Sequence, residues 1–308
     1  MGLIYSNVRF LLAARQAGCS FTKTLTLGRQ QISLTRKECA ALQNEFGKLP
    51  IDIRPADSHL EAYADDFFHH CLGCQQLDAL DYSDYQGANV HHDLNHPIDA
   101  TWHQRYDAVI DGGTIEHIFN VPVALRSCMQ MVRVGGCLML ATVANNHCGH
   151  GFYQFSPELF FRVLQPLNGF ELLRVVLVEH PYPGAELSQR QRCFEVTNPD
   201  HVGSRIGLVH DSPVMIQALA KRISGQAILE SYPQQSDYQT LWQSHLESET
   251  SVPTDLAPPR GIARLRRIMG NLKRDCERRL PSSLQRGLNG RRQLRDYSLK
   301  NRRFYRPW

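Results

Sequence analysis

Acidic and small residues in this chain recur where short apolar runs stop. Asp81 directly follows Leu77 to Leu80, Asp93 and Leu94 come just after Ala88 to His91, and Asp111-Gly112-Gly113 closes Tyr106 to Ile110. A carboxylate at the end of a buried strand can grip the hydroxyls of a ribose, and a glycine lets backbone come close to a ligand. Gly28, after Thr24-Leu25-Thr26-Leu27, and Asp81 are the candidates for those two tasks; Asp78 and Asp84 are nearby acids that do not directly follow a run. Further along stand His117, His147 and His150, and an imidazole is a side chain that suits removal of a proton from a reacting group. Asn145 and Tyr153 flank the last two, beyond a fifth apolar run, and would reach over the mouth of such a crevice to contact what enters it.

Histidine also clusters in His69-His70-Cys71-x-x-Cys74 and in His91-His92-Asp93. A zinc site wants ligand pairs that converge, and this set has one CxxC without its partner pair. Adjacent histidines on a strand point to opposite faces, so His91 and His92 do not easily share one ion. No metal is expected.

The candidate residues can meet only if the runs that carry them lie side by side. After an amphipathic N-terminal helix, strands are read at Thr24 to Leu27, Leu77 to Leu80, Ala88 to His91, Tyr106 to Ile110 and Cys137 to Val143. Helices are read at Thr35 to Gly47, at Val121 to Val132 with its stop at Gly135-Gly136, and from Ser156-Pro157-Glu158 to Leu164. Glu171 to Glu179 and Arg192 to Thr197 form a strand pair that could be antiparallel. Past Asp200 the composition shifts: Ser212 to Leu229 and Ser236 to Leu246 read as helices, and Ser251 to Pro259, with three prolines, as a linker. The boundaries expected are a first domain over 1–200, a helical extension over 201–250 and a linker with a basic amphipathic tail over 251–308. Alternating strands and helices imply an α/β fold, in which ligands sit outside the carboxyl ends of the strands.

The stretch from Tyr106 to Glu179 resembles the C-terminal half of a class I S-adenosylmethionine-dependent methyltransferase. The resemblance is carried by Glu116-His117-Ile118, Arg133-Val134-Gly135-Gly136, the apolar run after it, the serine-capped helix at Ser156 and Gly169-Phe170. It covers about residues 20–200 and is strongest over 105–175. It implies a Rossmann-like methyltransferase sheet, mostly parallel with an antiparallel last strand, and S-adenosylmethionine as cofactor. It also implies that Asp93 and Leu94 meet the adenine edge and that Asp111, Gly112 and Gly113 leave room beside the reactive methyl. His147, His150 or His117 would then take a proton from the acceptor. The chain departs from the family after the first strand, where Thr26-Leu27-Gly28-Arg29-Gln30-Gln31 offers one glycine in place of a glycine-rich loop. That departure keeps open a catalytically silent relative that serves as a binding or scaffolding module. A nicotinamide dehydrogenase fits less well, because no GxGxxG follows the first strand.

The chain has 308 residues with a net charge of +4, 42% of them hydrophobic and 21% charged, the composition of a globular protein. The charge is unevenly placed: residues 260–308 carry sixteen Lys and Arg against three acids, and the rest of the chain is net acidic by about nine charges. Ile262, Leu265, Ile268, Met269 and Leu272 add an apolar stripe, and Tyr297, Phe304, Tyr305 and Trp308 are interleaved with arginine. Such a tail suits an anionic membrane surface, nucleic acid as a weaker second partner (the RNA methyltransferase alternative), or docking back on the acidic body. No apolar run is long enough to span a bilayer. Nine scattered cysteines fit a reducing, cytoplasmic setting, peripheral to the inner membrane face if the tail binds there, with a small molecule or saccharide as acceptor.

Overall fold

The computed structural model describes residues 2–50, 63–179, 191–238, 242, 290 and 295–308. The chain opens with β1 (Gly2–Leu3) and α1 (Tyr5–Gln16), followed by β2 (Lys23–Leu27), β3 (Gln31–Ile32) and α2 (Arg36–Phe46). Thr35 starts α2 through a reciprocal capping box with Glu38, which satisfies two backbone donors that a helix start otherwise leaves bare. Next come β4 (Gln76–Asp81), β5 (Val90–His91), β6 (Tyr106–Asp111), α3 (Val121–Met131) and β7 (Val132–Asn145). The chain continues through α4 (Pro157–Val163), β8 (Phe170–Glu179), β9 (Arg192–Val196), the single turn α5 (Pro199–Val202), β10 (Val214–Arg222) and β11 (Tyr305–Pro307).

Nine strands form one sheet in the order β11-β9-β8-β10-β7-β6-β2-β4-β5. Pairing is parallel from β7 to β5 and antiparallel from β7 outward to β11. Counted along the chain, the five parallel strands run 3-2-1-4-5, the Rossmann-like order, with the reversal between β2 and β6. Alternate strand residues feed two cores. Val109, Leu138, Leu140, Val175 and Leu177 pack with α3 and α4 on one face, and Ala108, Ile110, Met139, Val176 and Val178 pack with α1 on the other.

Three readings change here. Ser212 to Leu229 is not a helix: Val214–Arg222 is β10, hydrogen-bonded on one side to β7 and on the other to β8. A strand buried on both faces is apolar almost throughout, and Ala218-Leu219-Ala220 then carries no alternation to distinguish it from helix. The sheet therefore runs past residue 200, where the composition shift had suggested a domain end and a helical extension. The third helix stops at Met131 rather than at the glycines. Gly135, at φ +84°, lies inside a bulge of β7, and a Cβ on Gly136 would come within 2.7 Å of the Asp107 carbonyl oxygen. The carbonyls of Met129, Gln130 and Val132 at the end of α3 are met by the buried Arg222 guanidinium of β10.

Phe304, Tyr305 and Trp308 of the C-terminal segment pack on the body, while Tyr297 is exposed. Tyr305 is fully buried and donates its hydroxyl to the Gly207 carbonyl at 2.8 Å. Phe304 is buried under Tyr297, and Trp308 packs edge-on against Phe10 with the Arg9 guanidinium 4.0 Å from its ring centre. The apolar stripe over 262–272 and the linker over 251–259 lie outside the described residues, as does most of the helix read at Ser236 to Leu246.

Candidate functional site

The carboxyl ends of β2, β4, β6 and β7 bring most of the candidate residues to one edge of the sheet. At the end of β2, Gly28 turns with φ +68° and donates its N–H to the Leu80 carbonyl of β4 at 2.7 Å. The next residues do not form a glycine-rich cradle. Gln30 folds its buried side chain back, its Nε2 donating to the Leu27 and Gly28 carbonyls at 2.8 and 3.1 Å. Its Oε1 has no hydrogen-bond partner among the described residues and lies so close to Gly112 that a Cβ there would be 2.2 Å away. Arg29 points elsewhere, to Asp65 at 3.1 Å and over the Tyr63 ring at 3.9 Å. Thr114 ties the loop after β6 to the same strand end by a bond to the Leu27 carbonyl at 3.2 Å.

Asp81 ends β4, half-buried, with one carboxylate oxygen accepting the Tyr82 N–H at 2.6 Å. Asp93, just past β5, accepts the backbone and side-chain N–H of Asn95 at 2.9 and 2.8 Å, which holds its carboxyl below the usual range. Leu94 is buried in the core between the sheet and α3. Asp111 is fully buried at the end of β6; one oxygen accepts the N–H groups of Gly113 and Thr114, and the other has no hydrogen-bond partner among the described residues. Burial first, and the nearby Glu116 second, push its acid well up from the ordinary carboxylate range.

A second group gathers where the loops after β6 and β7 meet. Glu116, in the turn Ile115–His117, is 1% exposed and accepts the Thr142 hydroxyl at 2.7 Å on one oxygen. Its other oxygen lies 3.5 Å from Nε2 of His150, which is half-exposed. The rings of His117 and His147 stand 5.2 and 5.7 Å from that of His150. Backbone holds this together: Phe152 and Tyr153 donate N–H to the Glu116 carbonyl at 2.8 and 3.3 Å. Gly151 lies flat against it, where a Cβ would be 2.8 Å from the carbonyl oxygen.

The three histidines thus converge as a set, around a glutamate that sequence reading treated only as part of a motif. Asn145 sits at the last residue of β7, paired in register with Val214. Tyr153 packs against the core and gives its hydroxyl to the Phe119 carbonyl at 2.8 Å, so it braces the loop. Sequence reading missed Thr142, which looks like any small polar residue in a buried strand, and the pair Phe119 and Phe152. Those two rings meet edge to face at 5.9 Å and are each about 70% exposed beside the histidines. The other histidine motifs are engaged locally: His69 with the Cys74 carbonyl, His91 with Ala88 and His92 with His96.

No protein-family model matches the chain, and no curated protein does. Solved structures with a similar course include a SAM-dependent methyltransferase from Thermotoga maritima, at 15% identity over 69% of this chain and 91% of that one, with a TM-score of 0.37. The 1,6-didemethyltoxoflavin-N1-methyltransferase of Burkholderia thailandensis, solved with its namesake ligand and S-adenosylhomocysteine, matches at 11% identity over 71% and 78%, TM-score 0.35. The N-methyltransferase NodS of Bradyrhizobium japonicum, in complex with S-adenosylhomocysteine, matches at 11% over 71% and 87%, TM-score 0.36. The fold assignment rests on the strand order of this chain. It is a Rossmann-like α/β fold. Among the described residues, no helix is long and apolar enough to cross a membrane.

Proposed function

We propose that the chain is an S-adenosylmethionine-dependent methyltransferase acting on a small-molecule or saccharide acceptor. The observation that carries the reading is the strand order 3-2-1-4-5 with Gly28 and Asp111-Gly112-Gly113 at the ends of the two strands flanking its reversal and Asp81 at the end of the next strand, β4, where an open α/β sheet takes its ligand. The donor set suits the cofactor. Gln30 offers a buried acceptor oxygen that has no donor among the described residues, which an ammonium would satisfy, and Asp81 offers a carboxylate for ribose hydroxyls; Gly112 does not leave the room expected of it, because the Gln30 amide fills the space beside its Cα. Asp93 and Leu94 stand at the next strand end, where an adenine edge would lie. When bound, the cofactor supplies an electrophilic methyl group on a sulfonium.

The chain's own part is to align an acceptor and remove its proton. Methyl transfer is an in-line displacement, so alignment lowers most of the barrier and a base completes it for a hydroxyl. Glu116, buried and fixed by Thr142, has one oxygen 3.5 Å from Nε2 of His150 and would orient that imidazole. His147 and His117 flank it within ring-contact distance, and Asn145 lies at the adjoining strand end. Phe119 and Phe152 would offer apolar faces to a sugar ring or a similar body entering from solvent. The cationic stretch over 260–294 would keep the chain at an anionic surface, such as the inner face of a membrane, and sedimentation of the full chain with anionic vesicles tests that.

The reading is tested by following release of S-adenosylhomocysteine over a panel of free sugars and lipid-linked sugar intermediates. Turnover with one acceptor class, falling by about 10²–10⁴ in His150→Ala with cofactor affinity unchanged, supports it. Cofactor binding with no turnover on any acceptor would move the chain to the silent, scaffolding alternative.

A further inference from the structure

We propose that Glu116, His117 and His150 form a binding site for one divalent transition-metal ion at the carboxyl ends of β6 and β7. One ligand atom from each residue, a carboxylate oxygen and two ring nitrogens, lies within 4.8 Å of the others. Around an ion with ligands at about 2.0–2.2 Å in tetrahedral geometry, such atoms stand about 3.4 Å apart. The half-exposed His150 and the exposed His117 can close that gap by side-chain rotation alone.

The rest of the surroundings is built as metal sites are. Glu116 is 1% exposed, and the Thr142 hydroxyl occupies one of its oxygens, which leaves the other turned to His150. A hydrogen bond to a ligating carboxylate is the usual device that fixes its orientation. The loop that delivers His150 is anchored on the Glu116 backbone through Gly151, Phe152 and Tyr153, so the two ligands are placed by contacts that involve neither side chain. Close by, Asp111 is fully buried and one of its oxygens meets no hydrogen-bond donor among the described residues. Two buried carboxyl groups in one place do not both ionise readily without a cation, and among the described residues Glu116 has His150 as its ionic partner.

Two imidazoles and one carboxylate select a borderline cation such as Zn²⁺, Co²⁺, Mn²⁺ or Fe²⁺ over the oxygen-seeking Mg²⁺ or Ca²⁺. Three protein ligands leave a position open, on the exposed side where Phe119 and Phe152 stand. On the methyltransferase reading above, that position would hold an oxygen of the acceptor and lower its pKa; His150 would then serve as a ligand, and His147 in its place would accept the proton.

The ion can be tested without turnover, by titrating the full chain with Co²⁺ and with Zn²⁺ in competition, and following the visible Co²⁺ bands. One equivalent with oxygen and nitrogen bands and no sulfur-to-metal charge transfer is expected. The bands should vanish in His117→Ala/His150→Ala, and Thr142→Val should weaken affinity by about 10–100-fold. The proposal is overturned if no band develops, if the bands survive the double substitution, or if they carry thiolate character from Cys71 and Cys74. Calorimetry of the same samples with S-adenosylhomocysteine separates the two readings, since the metal can bind in a chain that takes no cofactor, and the reverse.

Discussion

At the end of β2 one side chain fills the room that a glycine-rich loop would leave, whereas at the ends of β6 and β7 three histidine rings gather beside a buried glutamate whose backbone carbonyl anchors the loop after β7. Gln30 is tied to the carbonyls of its own strand and leans on Gly112, so the cofactor end is set by contacts two or three residues apart in sequence. The acceptor end is set by bonds from Phe152 and Tyr153 to Glu116, across more than thirty residues. The first arrangement depends on local side-chain chemistry and tolerates modest substitution with graded loss. The second depends on a backbone fit that a single methyl group would disturb.

The sharpest way to break the acceptor end is Gly151→Ala, whose Cβ would meet the Glu116 carbonyl at 2.8 Å and push away the loop carrying His150. A displacement of about 1 Å at a reacting group costs on the order of 100-fold in rate, so turnover should fall by about that factor while S-adenosylhomocysteine affinity holds. Equal losses in both would show that the two ends are not separately built. Asp81→Ala probes the cofactor end in the opposite sense: affinity, measured calorimetrically, should fall by about 30-fold through loss of charged hydrogen bonds, with the unfolding midpoint unchanged. Unaltered affinity would take the ribose role from Asp81. The smallest effect is expected of Gln30→Ala, about 12-fold in affinity, the low end for one hydrogen bond to a charged group. Tighter binding in that variant would mean that Gln30 obstructs the crevice instead of lining it.

The same contrast explains what could be read from residues alone. The parallel strands were legible as short, largely apolar runs, with Gly28, Asp81 and Asp111 marking the ends of β2, β4 and β6, and Thr35 and Ser156 marked helix starts through their caps. Strand β10 was not, since Val214–Arg222 is buried on both faces and its composition satisfies helix and strand alike. Docking back on the body was one of three options for the tail, and pairing of Tyr305 with β9 and packing of Trp308 on Phe10 realise it for the last residues; which strand and which ring they meet is a long-range matter that their arginine neighbours do not encode. At the site, His147 and His150 could be placed near His117 only by assuming that the loops after two adjacent parallel strands meet. Glu116 and Thr142 escaped because their importance lies in a contact between a loop and a strand interior, which no spacing encodes.

The most direct test of the account is titration calorimetry of the full chain with S-adenosylmethionine and S-adenosylhomocysteine. The account predicts one site of micromolar affinity for each, weakened in Asp81→Ala and intact in His150→Ala. Absence of binding of either compound, with and without candidate acceptors present, would contradict it, and the fold would then have to be read as a scaffold whose crevice Gln30 has closed.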